Sequence, residues 1–303
     1  MTLVEPPAAE IPERASDASI PRGTPWPRAG HSRGAQTSRT GTSARLSRLL
    51  RISAWHPLPR ALLGCALVLL ALAGGTFAWL WRTTPSPATL ESWIAAQDAA
   101  HHTPYVTLDH ISPWMSQALV AIEDERFYQH HGIDTVGLLR AAWDDLRAGR
   151  LVEGGSTLTA QLAKNAYLDG NDHTFARKLQ DLVLALKVER VYGKDEILEM
   201  YLNLVYYGEG AYGIQAAAER YFGVTPAHLD IAESALLAGL VQAPGWFDPW
   251  CHPADARARQ ATVLAHMVAG QYITQTQANA ALAEPLAPLL PGAARPADIY
   301  CAR

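Results

Sequence analysis

Three stretches of this 303-residue chain carry side chains that could do chemistry together. The first is Glu123-Asp124-Glu125-Arg126-Phe127-Tyr128-Gln129-His130-His131-Gly132. Its three carboxylates fall at the end of a predicted helix that starts at Pro113, with Ser112 as N-cap and Ala118, Leu119 and Ile122 on its apolar faces. A helix C-terminus and two adjacent acids both disfavour a charged Glu123, which suits a general base working near neutral pH. The second stretch, Gly154 to Asn165, is a glycine turn feeding a helix N-terminus with the hydroxyls of Ser156 and Thr157, followed by Gln161 and Lys164. Such a turn suits an anion, and Gly-Lys-Ser/Thr of a P-loop is absent. The third is Arg177-Lys178 with Asp181, either an intrahelical ion pair or a second charged cluster facing Glu123 across a cleft.

The four lysines (Lys164, Lys178, Lys187 and Lys194) crowd into one segment, while arginine serves everywhere else. A compact ammonium binds phosphate as a point charge, and that is the chemistry their placement suggests.

The elements that must position these groups read as helices throughout, and the fold class expected is all-α. Asp134 is placed to cap a helix ending near Gly149, and Ser156 one running to about Asn165. Further helices are expected from Thr174 to Tyr192, from Lys194 to Asn203, after Thr225-Pro226, and after Thr274 with Gln277 three residues on. Residues 207–213 form a glycine-rich loop that needs unusual backbone angles or close approach.

Residues 61–81 contain no charge, and at about 1.5 Å per residue they span roughly the 30 Å of a bilayer core. Trp79 and Trp81 suit the interface at the far end. The first sixty residues hold nine arginines against four acids, net +5; with −4 for the whole chain, the remainder carries −9. The arginine-rich flank predicts an N-terminus in the cytoplasm and a domain outside the inner membrane, and the acidic remainder argues against nucleic acid as its partner. The organisation expected is therefore a disordered basic tail over 1–60, a transmembrane helix over 61–82, one domain over 88–290 and a C-terminal tail over 291–303. The basic tail also favours anionic membrane lipids. Cys65 lies within the apolar run; Cys251 and Cys301 fall in the exported part, where they can pair or remain thiols.

Glu-Asp-x-x-Phe-x-x-His-x-Gly at 123–132 resembles the first motif of the peptidoglycan glycosyltransferases of family 51. Residues 154–165 resemble the second and Arg177-Lys178 the third. Lys194 through Asn203 to Tyr221-Phe222-Gly223 resembles the fourth, and Glu233 to Leu240 with Ala243-Pro244 the fifth. The resemblance is to the monofunctional transglycosylases, since neither Ser-x-x-Lys nor Lys-Thr-Gly occurs in this sequence. It implies a lysozyme-like all-α fold behind a membrane anchor, and polymerisation of lipid II onto a nascent glycan strand. Glu123 would then be the catalytic base and Asp181 the second catalytic carboxylate. Asp124, Phe127, His130, Ser156, Thr157, Gln161, Lys164, Asn165, His173, Arg177 and Lys178 would meet substrate. The pyrophosphate could bring a divalent cation, magnesium or manganese, near Glu123 or Asp124; no organic cofactor is implied. Other cell-wall synthesis proteins are the further partners expected.

Three positions depart from the family pattern: Asp181 where a glutamate is usual, His173 where an arginine is common, and Ala160-Gln161 where a glutamine pair is common. Two rival readings remain at this level, a catalytically weak or silent membrane scaffold and a lysozyme-like glycan-cleaving enzyme. The scaffold has no need of Glu123, and the hydrolase no need of a basic cluster.

Overall fold

The computed structural model describes residues 57–148, 156–167, 174–285 and 301. The basic tail expected over 1–60, the Gly154-Gly155 turn and His173 lie in whole or in large part outside those residues. The chain divides into two units, 1–63 and 64–303. Eleven α-helices are present among the described residues, and the only β pairing among them is an isolated bridge between Tyr206 and Tyr212. The all-α expectation holds.

Helix α1, Pro57–Thr83, carries the uncharged run, and its leucines from Leu62 to Leu72 are exposed, as a face meant for lipid rather than protein would be. It is long and apolar enough to cross a membrane. The segment that follows is clasped to the domain. Lys187 Nζ donates to the Thr84 carbonyl at 2.8 Å, and Tyr192 Oη to that of Pro87 at 3.2 Å. The guanidinium of Arg190 lies 4.6 Å from the centre of the Trp81 ring.

Helices α2 (Leu90–His101) and α3 (Pro113–Glu123) follow. Pro113 occupies the first turn of α3, but the Ser112 side chain makes no cap bond. Helix α4 runs Thr135–Ala148, with Asp134 accepting from Gly137 N at 2.9 Å as expected. Helix α5 is Leu158–Tyr167, and here the capping hydroxyl is that of Thr157, which accepts from Ala160 N at 3.1 Å; Ser156 stands one residue outside. Helix α6 (Phe175–Val188) stops short of the Tyr192 end expected, and α7 (Lys194–Leu204) runs one residue past the Asn203 end expected. Helix α8 is Gly213–Phe222. After Thr225-Pro226 the chain makes only a short 3-10 turn, and α9, Ile231–Leu240, starts instead from a capping box of Asp230 and Glu233. Helices α10 (Pro253–Ala269) and α11 (Gln275–Ala283) complete the order.

Beyond Glu233 and Ser234 of its first turn helix α9 is wholly apolar and correspondingly buried, packed between α3 and α10. Helices α5, α6 and α7 form the other side, with Tyr201, Tyr207, Tyr221 and Phe127 among the largest buried side chains. Two glycines are dictated by space. At Gly132, with φ of 85°, a Cβ would come within 3.0 Å of the Ala185 carbonyl on α6; at Gly213, with φ of 77°, within 2.5 Å of the Asn203 oxygen.

Cys251 and Cys301 form a disulfide with a Cα separation of 5.3 Å, settling the alternative the sequence left open. It ties the end of the chain to the loop before α10. Fifty positions separate the two cysteines, and closing such a loop stabilises by up to about 4 kcal/mol in the chain-entropy account. Thermal unfolding with and without a thiol reductant should therefore differ by several degrees, and Cys301→Ser should lose that difference. A reductant-insensitive melt would show that the bond contributes nothing.

Candidate active site

Helix α3 ends by delivering Glu123 as its last residue, because Asp124 leaves helical geometry at φ −157° while its N–H still closes on the Val120 carbonyl at 3.1 Å. The buried residues Met115, Ala118, Leu119 and Ala121 fix that end against α9 and α10. The Glu123 carboxylate then points into a cleft between α3, α5, α7 and α10, and its side chain is only 12% exposed.

The groups that meet Glu123 are not the neighbouring acids. Gln161 Nε2 donates to Glu123 Oε2 at 2.8 Å, and the Gln161 Oε1 accepts from the buried Tyr201 hydroxyl at 2.8 Å. The tyrosine hydroxyl thereby orients the amide so that its N–H faces the carboxylate. Arg259 on α10 places Nη2 3.7 Å from Glu123 Oε1, its Nε donates to the Gly239 carbonyl at 3.4 Å, and its guanidinium lies over the Phe247 ring. Burial lowers the proton affinity of Arg259 and Glu123 opposes that shift; a guanidinium stays charged throughout.

Asp124, Phe127, His130 and Thr157, placed with substrate by the sequence reading, are buried behind the cleft and brace it. Asp124 accepts from Leu158 N at 3.0 Å and lies 2.9 Å from His130 Nε2. This anchors the carboxyl end of α3 to the amino end of α5, where a carboxylate also suits the helix dipole. Thr157 Oγ1 donates to the Gly132 carbonyl at 2.8 Å. Phe127 sits under Lys194, whose Nζ is 4.3 Å from its ring centre and 2.6 Å from Glu189. Glu125 turns outward toward Arg140, at 3.6 Å on the exposed surface. The physical reason is that the chain bends sharply at Asp124, so consecutive acids leave in three directions.

The cleft encloses about 590 Å³ and is lined by Glu123, Ser156, Gln161, Lys164, Asn165, Asp181, Tyr201 and Arg259 among others. Asp181 therefore shares it with Glu123, as the cluster reading required. Lys178 donates to Ser156 Oγ from the same helix, and Arg177 Nε stands 3.8 Å from Asp181 Oδ1. Of the four lysines, only Lys164 and Lys178 serve this region. Lys187 holds the segment after α1, and Lys194 pairs with Glu189.

Burial raises the proton affinity of Asp181, and Lys178, Arg177 and Lys164 partly offset it. A carboxyl whose folded pKa lies above its unfolded value favours folding at low pH, and that contribution is lost as pH rises through the folded pKa. At neutral pH the ionised Asp181 thus costs stability. Asp181→Asn should raise the melting temperature by about 1–3 °C at pH 7 and lower turnover, with the thermal gain shrinking at acidic pH. A variant that loses both stability and activity would mean that Asp181 is a structural counter-ion for its cations.

Among the described residues no group of three or more His, Cys, Asp or Glu is gathered to hold a metal ion. At the place expected for a divalent cation, Asp124 is engaged by His130 and a backbone N–H, while Glu123 faces a guanidinium. These residues do not fit a protein-held metal. Sequence reasoning missed Arg259, Thr262 and His266, which α10 presents to the cleft from successive turns. Nothing local marks them, since α10 enters the site from far along the chain.

The family described as Transglycosylase matches residues 91–268. The chain is similar to penicillin-binding protein 1A of Aquifex aeolicus, 39% identical over 244 residues, covering 75% of this chain and 34% of that one. It is 48% identical over 172 residues to penicillin-binding protein 1A of Escherichia coli, covering 57% of this chain and 20% of that one. A Cupriavidus necator protein with transglycosylase in its name is 42% identical over 221 residues, covering 73% of this chain and 94% of that one. The chain thus spans about a third or less of the penicillin-binding proteins, and nearly the whole length of the Cupriavidus protein.

Proposed function

We infer that this chain, which belongs to the transglycosylase family, is a peptidoglycan glycosyltransferase that polymerises lipid II into glycan strands. The observation that carries the reading is a single cleft in which an oriented carboxylate, Glu123, shares the wall with two cations, Lys164 and Arg259, the second 3.7 Å from it. The acceptor hydroxyl attacks the anomeric carbon from the face opposite the pyrophosphate. Its proton passes to Glu123, the new C–O bond forms as the bond to pyrophosphate breaks, and the electron pair leaves with undecaprenyl pyrophosphate. An α-linked donor so becomes a β-linked product. Charge developing on the leaving group is met by Lys164, with Lys178 and Arg177 beyond it. No step is assigned to a divalent cation.

A helix fit to cross a membrane supports an anchored protein working on a substrate that stays in the bilayer. We place the N-terminus inside and the domain outside the inner membrane, on the arginine-rich flank before α1 and on a disulfide that suits an oxidising compartment. Protease added to spheroplasts should accordingly digest the domain after residue 83, and protection of that domain would overturn the orientation. Membrane lipid is one partner of the chain, and other wall-synthesis proteins are proposed beside it.

Lipid II and finished, lipid-free glycan strands, offered separately to the purified protein, distinguish the three readings. A polymerase consumes lipid II and leaves the strands intact. A glycan-cleaving enzyme shortens the strands, and a scaffold changes neither.

A further inference from the structure

Helix α7 brings to the cleft a side chain with no exposed surface of its own, Tyr201. The helix that carries it is pinned at both ends. At the start Glu196 accepts from Gly193 N at 2.6 Å. At the other end the Asn203 side chain accepts from Val106 N and donates to the Val106 carbonyl, both at 2.8 Å. Between them Ile197, Leu198 and Leu202 are buried, so the phenol cannot shift without the core around it.

The hydrogen bonds that start at this phenol run in one direction. Burial, then the neighbouring Glu123 and Tyr207, raise the proton affinity of the Tyr201 oxygen well above that of an ordinary phenol, so the hydroxyl keeps its proton and donates it. It donates to Gln161 Oε1 at 2.8 Å, which leaves Gln161 Nε2 to donate to Glu123 Oε2, also at 2.8 Å. A reversed amide would set its oxygen against the carboxylate and its N–H groups against the tyrosine proton.

The two oxygens of Glu123 are thereby made unequal. Oε2 is taken by the amide. Oε1 accepts no hydrogen bond among the described residues, and Arg259 Nη2 stands 3.7 Å from it, beyond hydrogen-bond length. An amide N–H bonds a carboxylate oxygen and the carbonyl oxygen of a carboxylic acid alike, so Oε2 is satisfied before and after the base takes up a proton. No group around Oε2 has to reorganise when that proton arrives.

We propose that Tyr201 is a positioning residue for the base: acting through Gln161, it reserves Oε2 of Glu123 for the amide and leaves Oε1 as the atom that takes the proton of the attacking sugar hydroxyl. The O–H bond of the sugar breaks as an O–H bond to Oε1 forms, and the freed electron pair of the sugar oxygen makes the bond to the anomeric carbon. The proposal rests on the glycosyltransferase reading and adds to it a residue that never touches substrate.

The test is a double-mutant cycle in lipid II turnover, run across pH with the purified chain in detergent micelles. Tyr201→Phe keeps the ring that fills the core and removes only the hydroxyl. It should lower kcat about tenfold and leave KM within about twofold, the mark of a group that acts in the chemical step. The acidic limb of its pH profile should move upward, because a freed amide can turn its oxygen to the carboxylate and favour the protonated base. Gln161→Leu should lose at least as much, and adding Tyr201→Phe to it should change kcat by less than about twofold, since the hydroxyl then has nothing to orient. Equal losses in both backgrounds, or a Tyr201→Phe enzyme with wild-type kcat and pH profile, would overturn the positioning role. Gln161→Glu tests the direction of the chain without touching the core. Its carboxylate can receive the Tyr201 proton but cannot donate to Glu123, so its acidic limb should lie above that of Gln161→Leu. A limb equal or lower would overturn the assignment of Oε2. Lipid II consumption by the wild type separates the two levels. If the wild type consumes lipid II and the cycle is additive, only the positioning role fails; if a folded wild type leaves lipid II untouched, the glycosyltransferase reading fails, and the role with it.

Discussion

Glu123→Gln should abolish strand synthesis, lowering turnover at least about a hundredfold, the usual consequence of losing a general base. The fold should be untouched, because the amide oxygen that replaces the carboxylate can still accept from Gln161 Nε2 and the helix end is held by Asp124 rather than by Glu123. Lipid II affinity should change little, since the cations that meet the pyrophosphate remain. The check is turnover against binding in one preparation, together with a thermal melt. Near wild-type turnover would remove Glu123 from the chemistry.

Arg259→Ala should have the second largest effect, a loss of about tenfold to a hundredfold in kcat/KM. The residue plays two parts that one deletion removes together. It stands 3.7 Å from Glu123 as the counter-charge to a carboxylate that is mostly buried, and it presents a cation to the cleft in which diphosphate must sit. A buried charge left without its partner is costly, so a lowered melting temperature is not expected only if the carboxylate takes up a proton instead. The pH–rate profile separates these outcomes, because a neutralised Glu123 needs higher pH to serve as base and the acidic limb moves upward. Arg259→Lys should recover part of the activity. It restores charge but cannot hold the Gly239 carbonyl by a hydrogen bond while facing Glu123, as the guanidinium does. Equal activity in all three proteins would make Arg259 a packing residue over Phe247.

What the sequence made legible was what is local. The apolar run of α1, the Pro113 start of α3, the Asp134 cap and the Thr274–Gln277 capping box are set within a few residues, and all are present. Two helix starts expected from the sequence were corrected by the structure. Thr157, not Ser156, caps α5, because its hydroxyl also reaches the Gly132 carbonyl across the fold. Likewise α9 begins at the Asp230 box and not after Pro226. The site itself was half legible. Glu123, Gln161, Lys164, Asn165 and Asp181 do share one cleft, yet Asp124, Phe127 and His130 turn inward. Their motif spacing reflects the bracing of α3 against α5, a packing constraint that reads in sequence like a row of polar site residues. Arg259 meets Glu123 through a contact between distant segments, and no periodicity announces it.

The most direct measurement is a time course of labelled lipid II with the purified chain, in which strand linkage and undecaprenyl pyrophosphate are followed together. Inverting transfer with Glu123 as base predicts β-linked strands that lengthen with time, one undecaprenyl pyrophosphate released for each bond formed, and no product from Glu123→Gln. Lipid II left intact by a folded wild type, or product formed equally well by Glu123→Gln, would contradict it.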